Sequence, residues 1–148
     1  MTRILLSVVA ILTMACDRCA ACDLTPEYWF GVEMNSLTSW AISYDSYRKY
    51  GGAGCDDGAF AEGYADMITK QLARRWGDTE DLKKIIDQEP GFAKWVLRHI
   101  DAAADCADLK SLKTNAETQC PSELREFCVE LADTAQATIV KLDPYCKR

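Results

Sequence analysis

Apolar residues recur along this chain at intervals of three and four, the spacing that lines one face of a helix. The clearest run is Leu124, Phe127, Cys128, Leu131, Ala135, Ile139 and Leu142, a continuous stripe that predicts a long helix beginning at Cys120-Pro121. Phe60, Tyr64, Met67, Ile68 and Leu72 form a second stripe, which Gly77 is expected to terminate. Leu82, Ile85 and Ile86 mark a short helix that Asp78 can cap. Pro90 is suited to a first helical turn and opens a helix with Phe92, Trp95, Val96 and Ile100 inside. Asp105 is placed to cap a helix carrying Leu109, Leu112 and Ala116.

Upstream, Thr25-Pro26-Glu27 reads as cap, first helical residue and dipole-favoured acid. The segment from Pro26 to about Tyr50 puts Trp29, Leu37, Trp40, Tyr44 and Tyr47 on one face, and Gly51-Gly52 ends it. Gly51–Gly58 is a glycine-rich loop around Cys55, with Asp56-Asp57 as a capping pair for the next helix. No internal repeat, low-complexity tract or interdomain linker interrupts this order, and a strand is the less favoured alternative to helix only around Tyr28-Trp29-Phe30. The expected fold is all-α: a compact bundle of about five to six helices, with short loops that favour antiparallel or steeply crossed neighbours.

The first residues follow a different pattern. Arg3 precedes Ile4–Met14, an apolar run broken only by Ser7 and Thr13, and Ala15–Cys22 is rich in small residues. A base, a short apolar stretch and a small-residue patch make a secretory signal. The run is shorter than the roughly 20 residues a spanning helix needs. Two processings are open. Cleavage after Ala21 makes residues 1–21 a signal peptide and 22–148 a single helical domain. Alternatively, Thr13-Met14-Ala15-Cys16 resembles a lipoprotein signal over 1–15, and Cys16 becomes a lipidated N-terminus anchored to a membrane.

An exported chain meets an oxidising compartment, so its cysteines are read as bridges. After removal of 1–21, Cys22, Cys55, Cys106, Cys120, Cys128 and Cys146 remain, an even set suited to three disulfides. If Cys120 and Cys128 share one helix, they stand about 12 Å apart along its axis. That exceeds the reach of a disulfide, so the two are not expected to pair. Cys106 at the start of one helix and Cys146 beyond the end of the next meet in an antiparallel hairpin. That geometry favours a Cys106–Cys146 bridge and sends Cys120 and Cys128 toward Cys22 and Cys55. Cys16, Cys19 and Cys22 have part of an iron–sulfur spacing but lack its closing Cys-Pro, and lie on the processing site.

Hydrophobic residues make up 49% of the chain, enough for a real core and against disorder. The net charge is −6, and −7 for residues 22–148, with 15 basic and 22 acidic side chains. An acidic surface opposes nucleic-acid binding and favours solubility or a partner of basic character.

Candidate chemistry is sparse. His99, the single histidine, falls on the apolar face of its helix, where it can bond a carbonyl or a nearby acid. As a general base it would be oriented by Asp101 or Asp105, but no nucleophile is marked. Zinc is not expected, because no second histidine stands at ligand spacing, and no cofactor fingerprint is present. Tyr50-Gly51-Gly52-Ala53-Gly54-Cys55 is similar to the calcium loop of secreted phospholipases A2. That family places Cys and a His-Asp step on the next helix, and Phe60–Trp76 contains neither Cys nor His. The aromatic residues Tyr28, Phe30, Trp40, Tyr44, Tyr47 and Tyr50 are the candidate binding surface, with core packing as the competing role.

Three functions follow as expectations. The first is a secreted or periplasmic, non-enzymatic protein-binding module, such as an immunity protein that neutralises a periplasmic toxin; type VI amidase immunity proteins resemble the chain in general build. The second is a carrier of a small apolar ligand. Insect odorant-binding proteins are similar in size and in having six cysteines, but their second and third cysteines are three residues apart, whereas fifty separate Cys55 from Cys106. The third is a small hydrolase relying on His99.

Overall fold

A computed structural model describes residues 39–51 and 56–146. Within them the chain is an all-α bundle of seven helices without a β-strand. The expected signal peptide over 1–21, the lipidation site Cys16, the cysteines Cys22 and Cys55, and Tyr28 and Phe30 lie outside the described residues.

Helix α1 (Trp40–Ser46) runs into one π-helical turn, Tyr47–Gly51. It is tied to the next helix by a buried polar pair: the Ser43 hydroxyl donates to Gln71 Oε1 at 2.8 Å, and Gln71 Nε2 donates to the Ser39 carbonyl at 3.2 Å.

Helix α2 (Gly58–Arg74) begins where Asp57 is extended and its carboxylate accepts the Gly58 N–H at 2.7 Å. Gly58 has φ +54°, a left-handed conformation that glycine adopts without steric cost. Tyr64, Met67, Ile68 and Leu72 are buried from this helix. It ends at Arg74, before the expected stop at Gly77, which lies in a 3-10 turn, Trp76–Asp78. The last carbonyls of α2 are met from α5: Asn115 Nδ2 donates to Leu72 and Ala73 at 3.2 and 3.1 Å.

Helix α3 (Thr79–Gln88) buries Leu82 fully, with Ile85 and Ile86 only partly covered. Asp78 sits at its N-cap position but makes no side-chain cap there. Its carboxylate is held instead by Arg75 Nε at 2.6 Å. Pro90 opens α4 (Pro90–Arg98) as expected, and Phe92, Trp95 and Val96 enter the core. The helix stops at Arg98, with His99 at its C-cap, and Ile100 is buried from the turn that follows.

Asp105 caps α5 (Cys106–Thr118) by accepting the N–H groups of Ala107 and Asp108 at 2.8 and 3.3 Å. The α2–α5 contact is clamped by Arg74, whose Nε and Nη2 reach the two oxygens of buried Asp108 at 2.9 and 2.7 Å. Such a fork-on-fork pair fixes orientation as well as distance. A 3-10 turn, Ser122–Leu124, leads into α6 (Arg125–Lys141), and α7 (Asp143–Cys146) closes the described chain.

Two disulfides fasten this C-terminal region. Cys106–Cys146 joins the start of α5 to α7 with a Cα separation of 5.5 Å, the pairing expected for an antiparallel hairpin. Cys120–Cys128 is also bridged, with Cα atoms 6.1 Å apart, which corrects the sequence expectation. That expectation assumed one helix through both residues. Pro121 is instead extended at φ −59° and ψ 141°, and the helix begins only at Arg125. The chain folds back on itself between the two cysteines, so they do not reach toward Cys22 and Cys55.

Candidate functional site

The densest cluster of chemistry-bearing groups joins the end of α4 to the residue that enters α2. One turn after Trp95, His99 folds its ring back along the helix, and its Nδ1 lies 2.8 Å from the Trp95 carbonyl oxygen. Its Nε2 lies 2.6 Å from Asp56 Oδ1. The second Asp56 oxygen accepts the Trp95 indole N–H at 3.0 Å and pairs with the Arg98 guanidinium. Tyr64 covers the group from α2, with its ring centroid 5.1 Å from Trp95 and 5.5 Å from His99. Both His99 ring nitrogens therefore face oxygen atoms at hydrogen-bond distance.

Burial alone would raise the Asp56 carboxyl. The hydrogen bond and charge of His99, the charge of Arg98 and the Trp95 N–H outweigh it and hold Asp56 below the ordinary carboxylate value. His99 is 2% exposed. Neither ring nitrogen is open to a substrate, and the arrangement serves as a clamp between the 56 loop and α4. Its acid is Asp56, not the Asp101 or Asp105 expected from proximity in sequence. Asp101 accepts the Ala103 N–H at 2.8 Å, and Asp105 is occupied as the α5 cap. Of the expected capping pair, only Asp57 caps; Asp56 is the partner of His99.

The aromatic residues divide between core and edge. Trp40 is 2% and Tyr50 5% exposed, so both belong to the core and not to a surface. Trp40 meets Phe92 edge-on at 6.4 Å. Tyr44 and Tyr47 are half-buried, stacked on each other at 6.2 Å and each 5.4 Å from Phe92. Arg48 lies 5.9 Å from the Tyr44 ring centre. Burial, then the Glu89 charge, raises the Tyr47 phenol above its usual range.

The large apolar side chains that are exposed among the described residues lie elsewhere. Val129 and Val140 stand outward on α6, and Tyr145 on α7. Eleven residues separate the two valines, close to three full turns, so they share one outer face about 16 Å apart. Glu126, Glu130 and Asp133 are exposed on the same helix. A groove of about 490 Å³ opens where the end of α5 meets the first turns of α6, lined in part by Val129, Ala132, Asp133, Arg125 and the Cys120–Cys128 bridge. Sequence reasoning missed this face. The signal was present: Val129 and Val140 are large apolar residues off the buried stripe of α6.

Among the described residues, no helix is long and apolar enough to cross a membrane, and no group of three His, Cys, Asp or Glu side chains is placed to hold a metal. Comparison of the chain with protein-family models, curated proteins and solved structures finds no match.

Proposed function

We propose that this chain is an exported, non-enzymatic protein-binding module acting in the periplasm or outside the cell, an inhibitor that neutralises a toxin of basic character. The observation that carries the reading is the outer face of α6. Val129 and Val140 are 56% and 62% exposed on a helix that is braced at its start by Cys120–Cys128, and the acids Glu126, Glu130 and Asp133 flank Val129. Exposed aliphatic anchors on a rigid element lose little entropy on docking. Surrounding acids steer a basic partner and fix its register. The clamped His99 supports the binding reading over a hydrolase, because its nitrogens are already engaged. The groove described above is lined by charged as well as apolar groups, which suits a protein surface better than a small apolar ligand.

The test is titration calorimetry of the purified protein against the periplasm-acting toxins delivered by its own organism, type VI effectors among them. A nanomolar complex with one of them is expected. Val129→Glu and Val140→Glu should each weaken it by about tenfold or more. Binding of none of these toxins, or binding that ignores both substitutions, would remove the proposal.

A further inference from the structure

We infer that Cys120–Cys128 is an exchangeable disulfide, attacked at Cys120 by small thiols, while Cys106–Cys146 is a fixed brace. The inference is independent of any protein partner. It rests on where the two bridges sit.

Cys120 is partly exposed and Cys128 only 2% exposed, and both contribute to the wall of the groove between α5 and α6. A thiol entering that groove meets Cys120 as the more exposed of the two cysteines. The leaving group is also favoured. Cys128 is the fourth residue of α6, and helical side chains tilt toward the N-terminus, so its sulfur faces the first turn. Leu124 at the cap position makes no side-chain cap there. The positive end of the helix favours a Cys128 thiolate, with Glu126 of the same first turn exposed to solvent. Arg125, one turn earlier, adds positive charge nearest the bridge in a groove whose lining also includes Glu117 and Asp133.

The other bridge has the same exposure pattern, Cys106 being partly exposed and Cys146 buried, and differs in its surroundings. Cys106 also begins a helix, but the Asp105 carboxylate already occupies the amides of Ala107 and Asp108. Its negative charge opposes a thiolate beside it. Cys146 is 9% exposed, and Lys110 Nζ holds its carbonyl at 2.9 Å.

In the exchange, a small-molecule thiolate attacks Cys120 Sγ along the S–S axis. A new disulfide forms between the reagent and Cys120, the Cys120–Cys128 bond breaks, and its electron pair passes to Cys128 Sγ as thiolate. A second equivalent of thiol can then displace Cys120, so that two thiols are oxidised to their disulfide and the protein bridge is reduced to two thiols. Without it, Cys128, only eight residues away, attacks Cys120 and restores the bridge.

The experiment uses the folded, oxidised protein and reduced glutathione at about pH 8, where a useful fraction of the reagent is thiolate. Acid quenching, alkylation and peptide mapping then locate the products. The expected result is glutathione on Cys120 and alkylated Cys128, forming about tenfold or more faster than any product at Cys106 or Cys146. Glutathione on Cys128, equal rates at the two bridges, or no exchange until denaturant unfolds the chain would each overturn the inference.

Discussion

Asp56 and His99 are 43 residues apart in sequence, yet Asp56 Oδ1 and His99 Nε2 lie 2.6 Å apart beneath the rings of Tyr64 and Trp95. The contact holds the entry to α2 against the end of α4. Its carboxylate side chain is 6% and its imidazole 2% exposed. Removing one member leaves the other buried without its counterpart, which costs far more than losing a surface pair. Asp56→Ala should therefore destabilise the protein by about 2 to 4 kcal/mol. Urea unfolding followed by tryptophan fluorescence measures it, and a loss below about 0.5 kcal/mol would contradict the clamp.

The same carboxylate gives the stability a defined acid limb. Asp56 is held below its ordinary value in the folded chain, so the unfolded chain binds its proton more readily. The contribution is complete above the unfolded carboxylate value and is lost as pH falls through the folded one. The stability gap between wild type and Asp56→Asn should shrink as pH falls below the ordinary carboxylate value of about 4. Urea titrations at a series of pH values test this; a gap that widens on acidification has the wrong sign.

Gly91 of α4 leaves room for the Tyr47 side chain. A methyl group there would lie 2.6 Å from the Tyr47 hydroxyl oxygen and 3.0 Å from Glu89 Oε1. Gly91→Ala should destabilise by about 1 to 3 kcal/mol, although alanine is the better helix former. In a Tyr47→Phe background the nearest ring carbon, at 3.7 Å, is in ordinary contact, so most of the penalty should vanish. A double-mutant cycle by thermal unfolding reads the coupling, and strict additivity would show that the contact is not the cause.

The two bridges should differ in their contribution to stability. Cys106–Cys146 closes a segment with a sequence separation of 40, and Cys120–Cys128 one of 8. On loop-closure entropy, replacing the first pair by serine costs about 4 kcal/mol and the second about 2.5 kcal/mol. Calorimetric melting of the two double-serine variants measures the order. A lower melting point for Cys120→Ser/Cys128→Ser than for the other variant would reverse it.

Docking on α6 predicts a separation of stability from binding. Val129 and Val140 are exposed, so their replacement by Glu should change unfolding free energy by about 0.5 kcal/mol or less while weakening the partner complex. Circular dichroism melts beside the calorimetric titrations check both halves.

The helix order after Gly58, the Pro90 turn and the Asp105 cap were legible because they depend on local chemistry. Pro90 at a first turn and Asp105 at a cap act on neighbours in sequence, and both do what their chemistry requires. The Cys106–Cys146 bridge followed from hairpin geometry. What was not legible depended on where a helix begins. The stripe from Leu124 to Leu142 is continuous in period, but Pro121 holds an extended conformation and the 3-10 turn delays α6 to Arg125. That shift of one turn brings Cys120 and Cys128 within bonding reach. Asp56 was hidden for a different reason: a pair of adjacent aspartates before a helix looks alike at both positions. Only the folded contact separates the capping Asp57 from the clamping Asp56.

The bridging of the C-terminal hairpin underlies both the rigid α6 face and the exchange chemistry, and peptide mapping of the oxidised protein under non-reducing conditions tests it most directly. The account predicts one linked pair containing Cys106 and Cys146 and another containing Cys120 and Cys128. Linkage of Cys120 or Cys128 to Cys22 or Cys55, or thiols that all alkylate freely, would contradict it.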